Sequence, residues 1–319
     1  MKTLIFIIVA CFGSAPVMAQ VNLEQLFKDS VAGTESLPVL ETFKSPRLIN
    51  SQSNETIHKH DLLFVVMHRF GDFAGKNGGT KTFFGLDNST DILIGFDYGI
   101  SDDLNIGIGR AKGAPNGVST DQAQIYYFKS KYRMLRQTNQ GMPFSLTLFG
   151  NAAVSGMKKR DLVTSDAAFS DFGDRMSFVA QTILARKFSE DLSLTLLPTY
   201  VRRNYVTFMD KNNMFALGIG GRVKVSKWMA VVADYFIAFR DQDTKDYFLQ
   251  EKDFRFYNPL GVGLEIETGG HVFNFSFTNS TAILENQFIP GTSSSWTKGG
   301  FRWGFSITRT FSLFNKSTE

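Results

Sequence analysis

The sequence holds a single cysteine, Cys11, among 319 residues. That residue lies in an N-terminal leader, so the mature chain is expected to have no disulfide, no thiol nucleophile and no cysteine-based metal site. Beyond the leader there is also no continuous apolar run of the ~20 residues that a membrane-spanning helix requires. If such a chain crosses a membrane, it does so with strands. An excess of one charge is missing as well: 34 Lys and Arg stand against 30 Asp and Glu. The basic residues are dispersed rather than clustered, which argues against nucleic-acid binding and leaves steering or lumen charge as their use. Proline is scarce, with 8 residues, while Phe reaches 32 and Gly 28. Mean hydropathy is close to zero. Such a chain is neither a helical membrane protein nor disordered, and it must bury aromatics without long apolar runs.

The first residues, Met1-Lys2-Thr3 followed by the apolar stretch 4–12 and the small residues around Val17-Met18-Ala19, have the three regions of a signal peptide. Cleavage is expected after Ala19. Ile8-Val9-Ala10-Cys11 loosely resembles a lipoprotein box, but that reading shortens the apolar region to the bottom of the ~7–15 residue range and passes over the better site at Ala19. Residues 20–57 are mixed and polar with Pro38 and Pro46 as breakers, and are expected to form a periplasmic arm. The barrel is expected over 58–319.

From residue 58 the pattern has period two. Ile92, Ile94, Phe96 and Tyr98 interleave with Asp91, Leu93, Gly95 and Asp97, placing one apolar and one mainly small or polar face on a strand. The same alternation predicts strands at 62–70, 89–100, 103–111, 122–136, 143–156, 174–188, 191–203, 213–226, 228–240, 254–267, 271–279 and 300–313. Short turns (101–103, 137–142, 189–190, 226–227, 268–270) alternate with long polar loops (71–88, 112–121, 157–173, 206–212, 241–253, 280–295). This order is that of an all-β, transmembrane, antiparallel up-and-down β-barrel of about twelve strands, with short turns and both termini in the periplasm. A soluble sandwich or solenoid would explain the alternation, but not the ordered loop lengths, the Phe content or the aromatic final strand.

Several segments resemble a family of uncharacterised outer-membrane β-barrel proteins of Bacteroidota, grouped as a domain of unknown function. They are TFKSPRLIN at 42–50, HRFGD at 68–72, FGLD at 84–87, DYGI at 97–100, GIGR at 107–110 and ETGGHVF at 267–273, with TNS at 278–280 and RTF at 309–311. The family pattern more often has Thr where this chain has Pro46. The resemblance implies fold and location and brings no activity with it.

No catalytic or metal site is expected. His58 and His60 share a strand face without an evident third ligand. None of His58, His60, His68 and His271 is followed two residues later by Ser, as a phospholipase-like site would suggest. The lumen is expected to hold Lys129, Lys131, Arg133, Arg203, Arg222, Lys224 and Arg302, opposed by Asp91, Asp97, Asp234, Glu265 and Glu267. Inward glycines, among them Gly99, Gly220 and Gly261, relieve crowding or open space. Two functions follow. One is a narrow or gated pore for small polar solutes with a mild anion preference. The other is a closed barrel whose arm docks a periplasmic partner through Phe43, Lys44, Arg47 and Asn50. Outer-membrane lipid and the barrel-assembly machinery are the remaining expected partners; no cofactor is implied.

Overall fold

The computed structural model describes residues 36–114, 123–161 and 165–314. The expected signal peptide (1–19) and the first part of the expected arm (20–35) lie outside the described residues.

Twelve antiparallel strands form a closed barrel. They are β1 (Asp61–Asp72), β2 (Ser89–Gly99), β3 (Leu104–Ala111), β4 (Ile125–Leu135), β5 (Ser145–Ser155), β6 (Met176–Lys187), β7 (Leu192–Arg203), β8 (Asn213–Lys224), β9 (Met229–Phe239), β10 (Leu260–Thr268), β11 (His271–Thr278) and β12 (Arg302–Ser312). Each pairs with its neighbour in sequence, and β1 closes on β12 from Asp61↔Ser312 to Arg69↔Gly304, with a bulge before Asp72↔Arg302. Closure satisfies the ladder groups of every strand, which a sheet in lipid requires.

Side-chain alternation sets the two faces. Along β7, Ser193, Thr195, Leu197, Thr199, Val201 and Arg203 are buried inside. The outward rows include Phe96, Ile108, Phe128, Leu148, Phe215 and Phe275, all exposed. Near the long-loop end of β11 and β12, the rings of Phe73, Phe277, Phe301 and Trp303 pack with centroids 4.3–5.9 Å apart, an aromatic band of the kind found where a barrel meets a membrane interface.

Four segments differ from the sequence reading. The strand expected at 254–267 begins only at Leu260, because Phe254 and Phe256 join a ring cluster with Phe248 instead of alternating across a sheet. Phe248 belongs to α1 (Gln242–Lys252), a helix where a polar loop was expected. The loop at 280–295 does not extend outside: it turns into the lumen and forms α2 (Glu285–Gly291), all of whose residues are buried. Finally, residues 42–57 are not a free arm. They enter the lumen from the short-turn end, with Thr42, Phe43, Leu48 to Asn54 and Ile57 all buried.

Candidate functional site: a lumen filled by two inserts

The first insert is a tight hairpin. Arg47 bridges Gln52, Leu48 N donates to the Ser51 carbonyl at 2.9 Å, and Ser53 N donates to that of Pro46 at 3.0 Å. This turn aims consecutive amides at one point, the concave anion-binding arrangement that successive N–H groups form. Asp234 on β9 occupies it. Its Oδ2 accepts from the backbone N of Ile49 (3.1 Å), Asn50 (2.6 Å) and Ser51 (2.8 Å) and from Ser51 Oγ (3.1 Å), while Oδ1 accepts from Asn50 Nδ2 at 2.7 Å. On β4, Lys131 Nζ donates to the carbonyls of Pro46 (2.8 Å), Ser53 (2.9 Å) and Glu55 (3.3 Å).

Two lumen glycines leave room for the tip. A Cβ at Gly261 would lie 2.7 Å from Ile49 and 2.8 Å from Asn50, and one at Gly220 would lie 2.6 Å from Leu48. The crowding these glycines relieve comes from the insert. Phe43, Leu48 and Ile49 pack on Ala185 and Val232.

The second insert sits on a different surface. Phe288, Ile289 and Ala282 pack against inward apolar residues of β5 to β9, including Phe149, Val179, Ile183, Leu197 and Phe236. Ile283 and Leu284 pack against Met67, Leu93 and Ile125. The inserts meet around charged groups. Arg47 Nη2 donates to the Ile283 carbonyl at 2.6 Å and lies 3.0 Å from Glu285, and Gln52 Nε2 donates to Glu285 at 2.9 Å. Arg69 on β1 donates to Asn50 Oδ1 at 2.7 Å and to the Ser280 and Ala282 carbonyls. Asp91 on β2 accepts from Ile283 N at 2.8 Å. The cavity between them, lined by Arg47, Gln52, Lys129, Asn151 and Glu285 among others, measures about 30 Å³, room for a water or two.

The remaining charged residues named from sequence are also placed inside. Lys129 pairs with Asp97 at 2.8 Å, Arg222 with Glu265 at 2.7 Å and Arg302 with Asp72 at 2.5 Å. Arg133 pairs with Asp103 at 3.0 Å, and Glu267 with Lys44 at 3.2 Å. Lys224 stands half-buried at the short-turn end of β8. Arg203 pairs with Asp210 at 2.8 Å, and Arg240 contacts the same carboxylate. Burial opposes ionisation of Asp210, but the two guanidiniums hold its carboxyl below the usual carboxylate range. Its stabilising contribution is therefore full above the unfolded pKa and is lost as pH falls through the depressed folded one. Asp210→Asn strands two buried arginines and should cost about 3 kcal/mol, read as a lower temperature of heat-modified mobility on gels.

Phe43, Lys44, Arg47 and Asn50, expected to dock a periplasmic partner, make their contacts within the chain in this structure. Phe43 and Asn50 are buried, and these residues are held by the barrel's own wall and second insert. Sequence reading missed Arg69 and Glu285 as members of the network. The available signal was the set of apolar inward positions on β6, β7 and β9, which a water-filled lumen would not carry. The histidines lie elsewhere: His58 near Asp102, His60 on Tyr98, His68 stacked on Phe305 and His271 beside Phe273.

Residues 43–311, a span that starts within the first insert, match the family described as membrane bound beta barrel domain (DUF5777). The chain belongs to this DUF5777 family. No curated protein matches it. Among solved structures, this DUF5777 barrel is similar to the NanC porin (7% identity, TM-score 0.45, covering 79% of this chain and 100% of that one). It is also similar to the KdgM porin (8%, 0.45, 79% and 99%) and to an outer membrane channel from Pseudomonas putida F1 (11%, 0.45, 81% and 98%). At identities this low the likeness concerns the barrel alone.

Proposed function

We propose that the protein is a gated passage for small polar solutes in the outer membrane, in which residues 42–57 are the gate and residues 280–295 are a fixed filling. The carrying observation is the contrast between the two seats. The second insert buries Phe288 and Ile289 on an apolar wall, and withdrawing it would expose that wall to water at ~25 cal/mol per Å². The first insert has a smaller apolar seat, Phe43, Leu48 and Ile49 on Ala185 and Val232, and its tip is otherwise held by hydrogen bonds to charged wall groups, which water can also make. Short turns then face the periplasm, where the N-terminal segment enters, and the role is passage rather than catalysis.

A disulfide lock tests the gate. Thr278 Oγ1 on the wall stands 3.3 Å from Asn50 Nδ2 and 3.4 Å from Asn50 Oδ1, within disulfide reach once both side chains are cut to cysteine. The doubly substituted protein (Asn50→Cys, Thr278→Cys, with Cys11→Ser) should be silent in planar bilayers when oxidised and show openings when reduced. Equal conductance in the two states would overturn the proposal, and so would silence in both across salts and voltages.

A further inference from the structure

Lys131 and Asp234 differ from most charged residues of the wall. Both are buried, yet among the described residues neither has an ion-pair partner within 4 Å. Lys131 is capped by three main-chain carbonyls of the insert. Asp234 is capped by three main-chain amides and two side chains of the same segment. Lys129, Arg203, Arg222 and Arg302, by contrast, each have a carboxylate. To the first insert the wall thus offers one ammonium and one carboxylate whose present occupant is a stretch of peptide, as Arg69 and Asp91 hold main chain of the second. The contact points are three residues apart, from Pro46 to Ile49, and even an extended chain rises only ~3.3 Å per residue, so they lie at most about 10 Å apart. A tripeptide is long enough to span that.

We infer that Lys131 and Asp234 form a recognition site for a short zwitterionic peptide, whose carboxylate replaces the insert's carbonyls on Lys131 and whose ammonium replaces its amides on Asp234. The inference rests on the gated reading, because the insert must leave for the peptide to bind. An ion pair at each end sets two full charges against each other where the insert sets one charge against a dipole, so such a peptide competes with the insert, whereas a capped peptide of the same length does not. Binding therefore releases the insert.

The test uses the full chain in detergent micelles with Leu48→Cys as a reporter and Cys11→Ser. Leu48 is 1% exposed and its side chain takes no part in the polar contacts, so maleimide labelling reports release of the insert. Trialanine at millimolar concentration should speed labelling by about tenfold through a shift toward the released state. N-acetyl-trialanine amide should leave the rate unchanged. Lys131→Met, which keeps the length of the side chain, should raise basal labelling and abolish the response to trialanine. Equal acceleration by both peptides, no acceleration by either, or a full response in Lys131→Met would each overturn the inference. Labelling does not depend on ion flow, so the disulfide-lock conductance reports separately on the gate.

Discussion

Replacing Asp234 with Asn is expected to turn a largely silent barrel into one that conducts. The Asp234 carboxylate is the common acceptor for Ile49, Asn50 and Ser51 of the insert, and its other oxygen takes Asn50 Nδ2. An amide removes the charge and puts a donor against donors on one side or the other. Breaking a buried, charge-assisted arrangement by altering one partner costs about 3–5 kcal/mol. At 1.4 kcal/mol per tenfold, the released state would gain roughly a hundredfold or more. Single-channel recording should show frequent openings, and limited proteolysis should cut between residues 42 and 57. A variant as silent and as protected as the parent would mean that this segment is not what closes the lumen.

The second large effect concerns the outer face of the last strand. Phe305 points outward and stacks on His68 with ring centroids 5.5 Å apart, whereas Ser306 beside it lines the inner surface near Leu48 and Ile49. Phe305→Arg places a guanidinium on lipid, at ~2–4 kcal/mol near the bilayer midplane, and should sharply lower the yield in the membrane fraction. Ser306→Arg faces the lumen and should insert far better, while crowding the hairpin tip. Equal yields, or the reverse order, would place the faces of β12 wrongly.

Much of the barrel could be read because period two is a local signal. The alternation in β2, β7 and β12 needs no knowledge of distant residues, and the turn chemistry of Ser101-Asp102-Asp103 marks its own hairpin. The contents of the lumen could not be read in the same way. Residues 280–295 are rich in Ser, Thr and Asn, which is also the composition of an outside loop. Only Ile283, Leu284, Phe288 and Ile289 mark the difference, and the wall residues they cluster with are spread over strands β1 to β9. The segment around Phe43 to Asn50 could be recognised as one that must bind something. That its partner is Asp234, more than 180 residues further along, is a product of closure, which no local pattern encodes. The charged residues read as inward share one parity along each strand, which is again a local signal, but which of them pair with side chains and which with the inserts depends on tertiary contacts.

The sequence distance between the hairpin and its seat also bears on assembly. The segment is among the first parts of the domain to be made, yet Asp234 follows it by 183–185 residues and Glu285 follows Gln52 by 233. Contacts so far apart in sequence form late. Until β9 is in place, the turn at 47–52 has no carboxylate to organise its amides, and the nascent chain presents it as an exposed polar strand pair. The loop carrying α2 is made later still, just before the seam strand β12. Filling of the lumen is thus coupled to closure of the wall, and an intermediate stalled before β9 would be an open sheet with its hairpin still free for a chaperone to hold.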